Sequence, residues 1–428
     1  MPVQTRFLRL ADAVAGKCGL LDRPFSIDSL IRVARRRTGL DDFGDVDLTE
    51  PLHRFLGACV DEARLSLVGR VATHWDVVRF LCNLLQFRAA ERARPEILAE
   101  PIAQPIFITG LPRSGTTFLH RMMLEDPANR GPLVYETIYP FTPPPGQRDR
   151  RAKRVAGKLH AFETLAPEFR GLHPLEATSP QECSEITAHV FRSLRFDSNY
   201  RIPSYRSWLE SDPRGHVPAY RFHRRFLQHL QHQAGSEPRP RWVLKCPDHL
   251  FALEAIRAVY PDAGLVFVHR DPVKVLLSVA HLTEVLRRPF SRELDPKQIG
   301  REETARWLEG MRRMIATGDE AGLNEPVCHV HYLDLVSDPV ATVEQVYGHF
   351  GLALPTAAMH RMEQLVAGQP NGGYGAHAYR FEDHGLDAEA ERNKFRDYML
   401  RFGVVPEMRG RETSSTAGGR GRRAQLAG

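Results

Sequence analysis

Short apolar runs, each followed by a helical periodicity, set the pattern in the middle of this chain. Pro105-Ile-Phe-Ile-Thr109 reads as a buried strand, and it runs through Gly110-Leu-Pro-Arg-Ser-Gly-Thr-Thr117 into a helical pattern. Further apolar runs at Trp242–Lys245 and Leu265–His269, and a fourth at Val327–Tyr332, lead into helical patterns over Asp248–Val259, Pro272–Leu286 and Pro339–Phe350. Strands alternating with helices predict an α/β fold of three layers, with a central parallel sheet and right-handed crossovers. Residues 1 to about 100 are mostly helical by pattern, as in Asp76–Phe87, and form a helical N-terminal extension. The insert from about 140 to 240 is rich in Pro, His, Arg and aromatic residues and is helical in places. The chain thus divides into a helical region, 1–100, an α/β region, 101–408, and a Gly/Ser/Thr/Arg-rich tail, 409–428, expected to be disordered. No internal repeat is visible.

The segment after the first strand carries the most chemistry. A strand, a glycine-containing loop and a helix make a phosphate cradle: loop N–H groups converge on an anion and the helix adds its positive end. The usual nucleotide loop, G-x-x-x-x-G-K-[ST], places a lysine on the β- and γ-phosphates. Here Thr116 stands where that lysine belongs, and Arg113 supplies a cation three positions earlier. A second anion site is legible at Arg270, at the carboxyl end of the strand ending in His269, where open α/β sheets bind ligands. Asp271 and Pro272 suit the start of the next helix, and Ser278 lies about two turns along it, so a guanidinium and a hydroxyl can share a phosphate.

Two phosphate sites, a loop without the lysine and the Arg270-x7-Ser278 spacing together resemble the sulfotransferase superfamily, and most closely its bacterial branch related to tyrosylprotein sulfotransferases. The resemblance spans roughly residues 104 to 400, strong at the two motifs and thin between them. It implies that the co-substrate is 3′-phosphoadenosine 5′-phosphosulfate (PAPS). Arg113, Ser114, Gly115, Thr116 and Thr117 then bind the 5′-phosphosulfate, and Arg270 and Ser278 the 3′-phosphate. It also implies a catalytic base at Glu136, since Glu136-Thr137 matches the branch's pattern, and a lysine on the transferring group at Lys245, before Cys246-Pro247-Asp248. Arg113 either binds the 5′-phosphate or stabilises the oxygen released when the S–O bond breaks. Tyr332 and Asp334 resemble an element near the nucleotide, and Gly375–Arg380 a covering loop. His120 and His173 are competing bases. Such chemistry needs a base and cations at the leaving phosphate, but neither a metal nor a covalent intermediate.

A P-loop kinase or NTPase is the main alternative, and it would need a lysine at Thr116 and an acidic strand end for magnesium. His269-Arg270-Asp271 echoes a kinase triplet, but Leu276 replaces the required Asn. A catalytically inactive nucleotide-binding module is the other alternative, opposed by the joint presence of Arg113, Glu136, Lys245, Arg270 and Ser278.

Composition adds little to this picture. The 428 residues, 42% apolar, suffice for a sizeable core. No apolar run approaches the ~20 residues of a membrane span, and Met1–Leu21 is amphipathic, unlike a signal-peptide core. Six scattered cysteines, without CxxC pairs, fit reduced thiols in a cytoplasmic protein and no zinc site. The net charge of +6 is concentrated in Arg148–Arg154 and in the tail, at Arg409, Arg411, Arg420, Arg422 and Arg423. No nucleic-acid motif accompanies it. The internal cluster is a solvated helix face or a contact for an anionic acceptor or a membrane surface. A small-molecule, lipid, glycolipid or secondary-metabolite hydroxyl suits the acceptor; a sugar or peptide tyrosine stays open.

Overall fold

The computed structural model describes residues 11–235, 240–319, 327–368 and 380–407. The tail from 409, the first ten residues and Gly375–Tyr379 of the expected covering loop lie outside these. The helix α1 (Leu67–Ala93) precedes the first strand, β1 (Ile106–Gly110), which leads into α2 (Thr116–Leu124), β2 (Asn129–Arg130) and α3 (Val134–Ile138). After the insert come α4 (Val217–Ala234), β3 (Arg241–Lys245), β4 (Gly264–His269), α5 (Pro272–Arg287), α6 (Pro296–Asp319), β5 (Cys328–His331), α7 (Tyr332–Ser337) and α8 (Pro339–His349).

The strands form one parallel sheet in the order β2-β3-β1-β4-β5. Ile106 faces Val243 on one side and Gly264 on the other, and Val266 faces Cys328. Every residue of β1 and β4 is buried, so the usual in/out alternation gives way to two apolar faces. Ile106, Ile108, Val266 and Val268 pack with Leu119, Met122, Val343 and Val346 under α2 and α8. Phe107 and Leu244 face the opposite layer, with Tyr220, Phe222 and Phe226 of α4. The three-layer α/β expectation holds.

The helical N-terminal residues do not form a core of their own. Phe55, Phe80 and Phe87 share one cluster with Phe191 and Phe196 of the insert and with the α4 face of the sheet. Buried ion pairs follow the same seam: Arg79 donates to Asp76 and Glu185, and Arg225 to Glu91.

One local expectation is corrected, and one strand had not been expected. The helix read over Asp248–Val259 begins as a 3₁₀ turn, Pro247–Phe251, and only Leu253–Val259 is α-helical, with Ala252 between them at φ −132°. The strand β2 was not legible: its two residues pair only with Arg241 and Trp242. All six cysteines are unpaired, and no helix among the described residues is long and apolar enough to cross a membrane.

Candidate active site

Connections leave β1 toward the β3 side and β4 toward the β5 side, so a crevice opens at the carboxyl ends of these neighbours, where α/β sheets bind ligands. The loop after β1 fits there only with its glycines. Gly110 has φ +146°, and a Cβ on it would stand 2.3 Å from the Val268 carbonyl oxygen of β4. Gly115 has φ +95° and caps α2, its absent Cβ leaving room for the Tyr332 ring. Arg113 itself sits in the left-handed region at φ +63°, a conformation that L-residues adopt at a cost of order 1–3 kcal/mol.

Arg113 and Ser278, brought from the loop and from α5, meet: the guanidinium Nε donates to Ser278 Oγ at 3.2 Å. Arg270 is also held in this cluster. Its Nη1 donates to the Arg113 carbonyl at 2.6 Å, and its guanidinium carbon lies over the Tyr332 ring, 3.7 Å from the centroid. Its other face is taken: Nε and Nη2 donate to the two carboxylate oxygens of Glu407 at 2.8 and 3.0 Å. Glu407 in turn is anchored through its N–H on Asp271, which also caps α5 by accepting from Val273 N–H. An acidic group therefore already occupies the fork that a phosphate would use. Ser114 is wholly buried and its Oγ has no hydrogen-bond partner among the described residues, an orphan hydroxyl within the phosphate loop.

The loop opens into a cavity of about 1240 Å³. Arg113, Gly115, Thr116, Thr117, Arg270, Ser278 and Tyr332 line one side. The insert lines the other with Phe169, His173, Leu175, Glu182 and Glu185, while Leu282, Leu286, Trp307 and Phe381 extend an apolar wall. Lys245, at the end of β3, is buried behind this surface and donates to Glu182 Oε1 at 2.6 Å. Burial pushes the Glu182 carboxyl upward, but Lys245 and then His173 outweigh it and leave its pKa below the ordinary value. The carboxylate is thus ionised and faces the cavity. Burial takes the His173 imidazole down to about 4, so it is neutral near pH 7.

The other sequence candidates fall elsewhere. Glu136, on the single-turn helix α3, accepts from Arg130 at 3.0 Å through one oxygen and from the Leu133 N–H at 3.0 Å through the other. It closes the N-terminus of its own helix and is not among the cavity-lining residues. His120 is buried, pairs with the Val243 carbonyl at 2.9 Å and is driven down to about 3 by burial. Groups that escaped the sequence reading are Glu182 and the partly buried pair of Asp248 with Arg306, 2.7 Å apart, in the cavity wall, and Glu407 beside Arg270. Asp248 stands in the element that follows Lys245, without a role assigned there, and the others belong to no local motif. Their one signal is acidic residues in otherwise apolar or proline-rich surroundings, as in Pro180-Gln-Glu-Cys-Ser-Glu185.

The comparisons agree with this geometry. Residues 105–356 match a model described as the Sulfotransferase family. The omega-hydroxy-beta-dihydromenaquinone-9 sulfotransferase Stf3 of Mycobacterium bovis is 25% identical over 316 residues, which are 71% of this chain and 74% of that protein. The crystal structure of sulfotransferase STF1 from Mycobacterium tuberculosis aligns at a TM-score of 0.75 and 31% identity, covering 87% of this chain and 99% of the other. Sulfotransferase STF9 from Mycobacterium avium aligns at a TM-score of 0.80 and 26% identity, covering 90% and 98%. With phosphate loop, sheet and strand-end cations in one matched segment that spans more than half of its length, the chain belongs to the Sulfotransferase family and is a sulfotransferase.

Proposed function

We propose that the donor is PAPS, that the acceptor is a hydroxyl on a largely apolar small molecule or lipid, and that Glu182 is the base. The observation that carries this reading is Glu182 in the wall of the cavity into which the phosphate loop opens, held from behind by the buried Lys245. The donor supplies a sulfonate already activated on a phosphate. Loop N–H groups, Thr116, Thr117 and Arg113 hold that phosphate, and Lys245 offsets the charge gathering on the leaving oxygen. Ser278 and Arg270 hold the 3′-phosphate, with Arg270 exchanging Glu407 for it. Glu182 takes the acceptor proton; ionised and next to a lysine, it is placed to do so. This moves the base from Glu136, both of whose carboxylate oxygens are bonded within its own turn and to Arg130. A second reading has neutral His173 as the base, because it lines the same wall. No step runs through a metal.

The apolar wall of Phe169, Leu175, Leu282, Leu286, Trp307 and Phe381 supports a lipid-like acceptor, as does the menaquinone-derived substrate in the name of the similar Stf3. Delivery from a lipid surface fits the exposed Arg148, Arg150 and Lys153, whereas Arg151 turns inward onto Asp149 and the Tyr139 carbonyl. Unpaired cysteines support a reducing compartment such as the cytoplasm.

The test is a pair of variants assayed for sulfated product from PAPS by mass spectrometry of lipid extracts. Glu182→Gln is expected to lose about 10²–10⁴ in turnover with little change in affinity for adenosine 3′,5′-bisphosphate. Glu136→Gln is expected to keep most of its turnover. The reverse pattern returns the base to Glu136, and a loss confined to His173→Gln assigns it to His173. Equal calorimetric affinity for adenosine 3′,5′-bisphosphate and adenosine 5′-monophosphate removes the PAPS reading.

A further inference from the structure

The outer side of α5 carries a group of side chains that the sulfuryl-transfer chemistry does not use. His281 and Glu284, three residues apart, share one helix face. His384, from the 3₁₀ turn Phe381–His384, comes to meet them across about a hundred residues of sequence. One ligand atom from each of the three lies within 4.8 Å of the others. The geometry points to a divalent transition-metal site, of the kind that takes Zn²⁺, formed by His281, Glu284 and His384.

Distances and orientation carry the inference. The edge of a zinc tetrahedron with bonds of about 2.0–2.1 Å is about 3.3 Å. His384 Nε2 stands 3.3 Å from Glu284 Oε2, and His281 Nδ1 stands 3.9 Å from the same oxygen. The Glu284–His384 edge already has that length, and closing the site draws the His281 ring inward. The ring orientation suits this: His281 Nε2 lies 3.5 Å from Glu168 Oε2, and Nδ1 is on the Glu284 side. A carboxylate behind a ligating imidazole is the usual outer support of a metal-bound histidine. Arg288 arranges both acids by the same logic. It takes Glu284 Oε1 at 2.8 Å and Glu168 Oε1 at 2.9 Å, so each Oε2 faces a histidine.

His384 is 1% exposed, yet neither ring nitrogen has a hydrogen-bond partner among the described residues, although Nε2 is aimed at Glu284. Glu284 and Glu168 bring two carboxylates to one guanidinium, that of Arg288, beside the two imidazoles. The turn is seated by close approach, since a Cβ on Gly300 of α6 would stand 2.2 Å from the His384 carbonyl oxygen. Phe381 and Glu382 of the turn line the large cavity, as do Leu282 and Thr283 of α5. A metal here pins one cavity wall to the helix that carries Ser278. Its role is structural, and a fourth position remains for water.

The experiment uses the full chain, stripped of metal and titrated with ZnCl₂ against a competing chromophoric chelator. One equivalent of Zn²⁺ per chain is expected. His281→Ala and His384→Ala are expected to abolish it, and Glu168→Gln to weaken it about 10–100-fold. Circular dichroism establishes that the variants fold. Independently of any variant, Co²⁺ bound to the wild-type chain is expected to give the intense visible absorption of a tetrahedral site. No stoichiometric Zn²⁺ on the wild type, wild-type affinity in both histidine variants, or only the faint spectrum of octahedral Co²⁺ reduces the group to an ion-pair cluster and overturns the proposal.

Discussion

Arg270 shows how much one side chain is asked to do. Its donors are divided between Glu407 and the Arg113 carbonyl, and its face is stacked on Tyr332. In the proposed site a 3′-phosphate displaces Glu407, so the carboxylate competes with the ligand. Glu407→Gln should therefore tighten adenosine 3′,5′-bisphosphate, by up to roughly tenfold if about 1.4 kcal/mol of competition is removed. Weaker binding in the calorimeter would instead make Glu407 the group that holds Arg270 in place. Arg270→Ala should weaken the same ligand by roughly 1.5–3 kcal/mol per charge-assisted hydrogen bond lost, and leave adenosine 5′-monophosphate almost unaffected. Asp248 offers a prediction in pH. Burial raises its carboxyl to about 6, against the opposing pull of Arg306. A pKa raised on folding contributes stability below the unfolded value, and that stability is lost as pH climbs through the folded one. Between about pH 4 and 6 the wild type should lose on the order of 3 kcal/mol through this group. Asp248→Asn should flatten that slope in denaturant titrations, while lying lower overall because Arg306 is left buried without its partner. An unchanged slope would show that Asp248 does not titrate in that window.

At the scale of elements, the tight contact is between β1 and β4. Gly110→Ala would drive a Cβ into the Val268 carbonyl at 2.3 Å in a backbone conformation that alanine resists. The loop should shift, with loss of measurable nucleotide binding and a lower Tm; a variant that binds as the wild type would mean that the sheet edge yields readily. This element was also the most legible one. A buried strand, a glycine loop and a helix each leave a local signature, and so do β4 with its Asp271–Pro272 helix start. The misses have a common physical cause. Ala252 interrupts the helix after β3 because Pro247 starts a 3₁₀ turn, and no residue of that stretch announces the break. Two-residue β2 is made by pairing with β3, with no pattern of its own. Glu136 was picked out by a short motif, and the motif gave no sign that its carboxylate bonds to Arg130 and to the first turn of α3. Glu182, Glu407 and His384 acquire their surroundings only when distant segments meet, so nothing in their own neighbourhoods marks them.

For the whole molecule, the question is whether the segment before β1 is an appendage or part of the enzyme. The ring of Phe55 stacks on Phe196 with centroids 4.1 Å apart, and Phe87 packs edge-on against Phe222 at 5.4 Å. Arg79 of α1 holds Glu185, a cavity residue, at 2.7 Å, and Asp76 holds Arg195, another, at 3.1 Å. Where α1 passes the link between α5 and α6, Gly69 lies so close that a Cβ would stand 2.2 Å from the Phe290 carbonyl oxygen. Removing the first hundred residues would bare the aromatic face of the insert, strip Arg79 and Asp76 from the Glu185–Arg195 pair, and leave Arg225 without Glu91 and Asp45. Breaking a buried pair in this way costs about 3–5 kcal/mol, and two or three such losses approach the ~5–15 kcal/mol total stability of a typical domain. A chain beginning near residue 101 should therefore aggregate, or lose its near-ultraviolet circular dichroism, despite retaining the whole phosphate loop. Arg79→Leu, which keeps apolar bulk against Phe80 and Trp75, should fold but bind acceptor less well, because Glu185 then keeps only Arg195 of its two guanidinium partners. A soluble 101–408 fragment that binds adenosine 3′,5′-bisphosphate like the full chain would show that the sheet and insert are sufficient, and that the shared core is a convenience of packing rather than a requirement for the site.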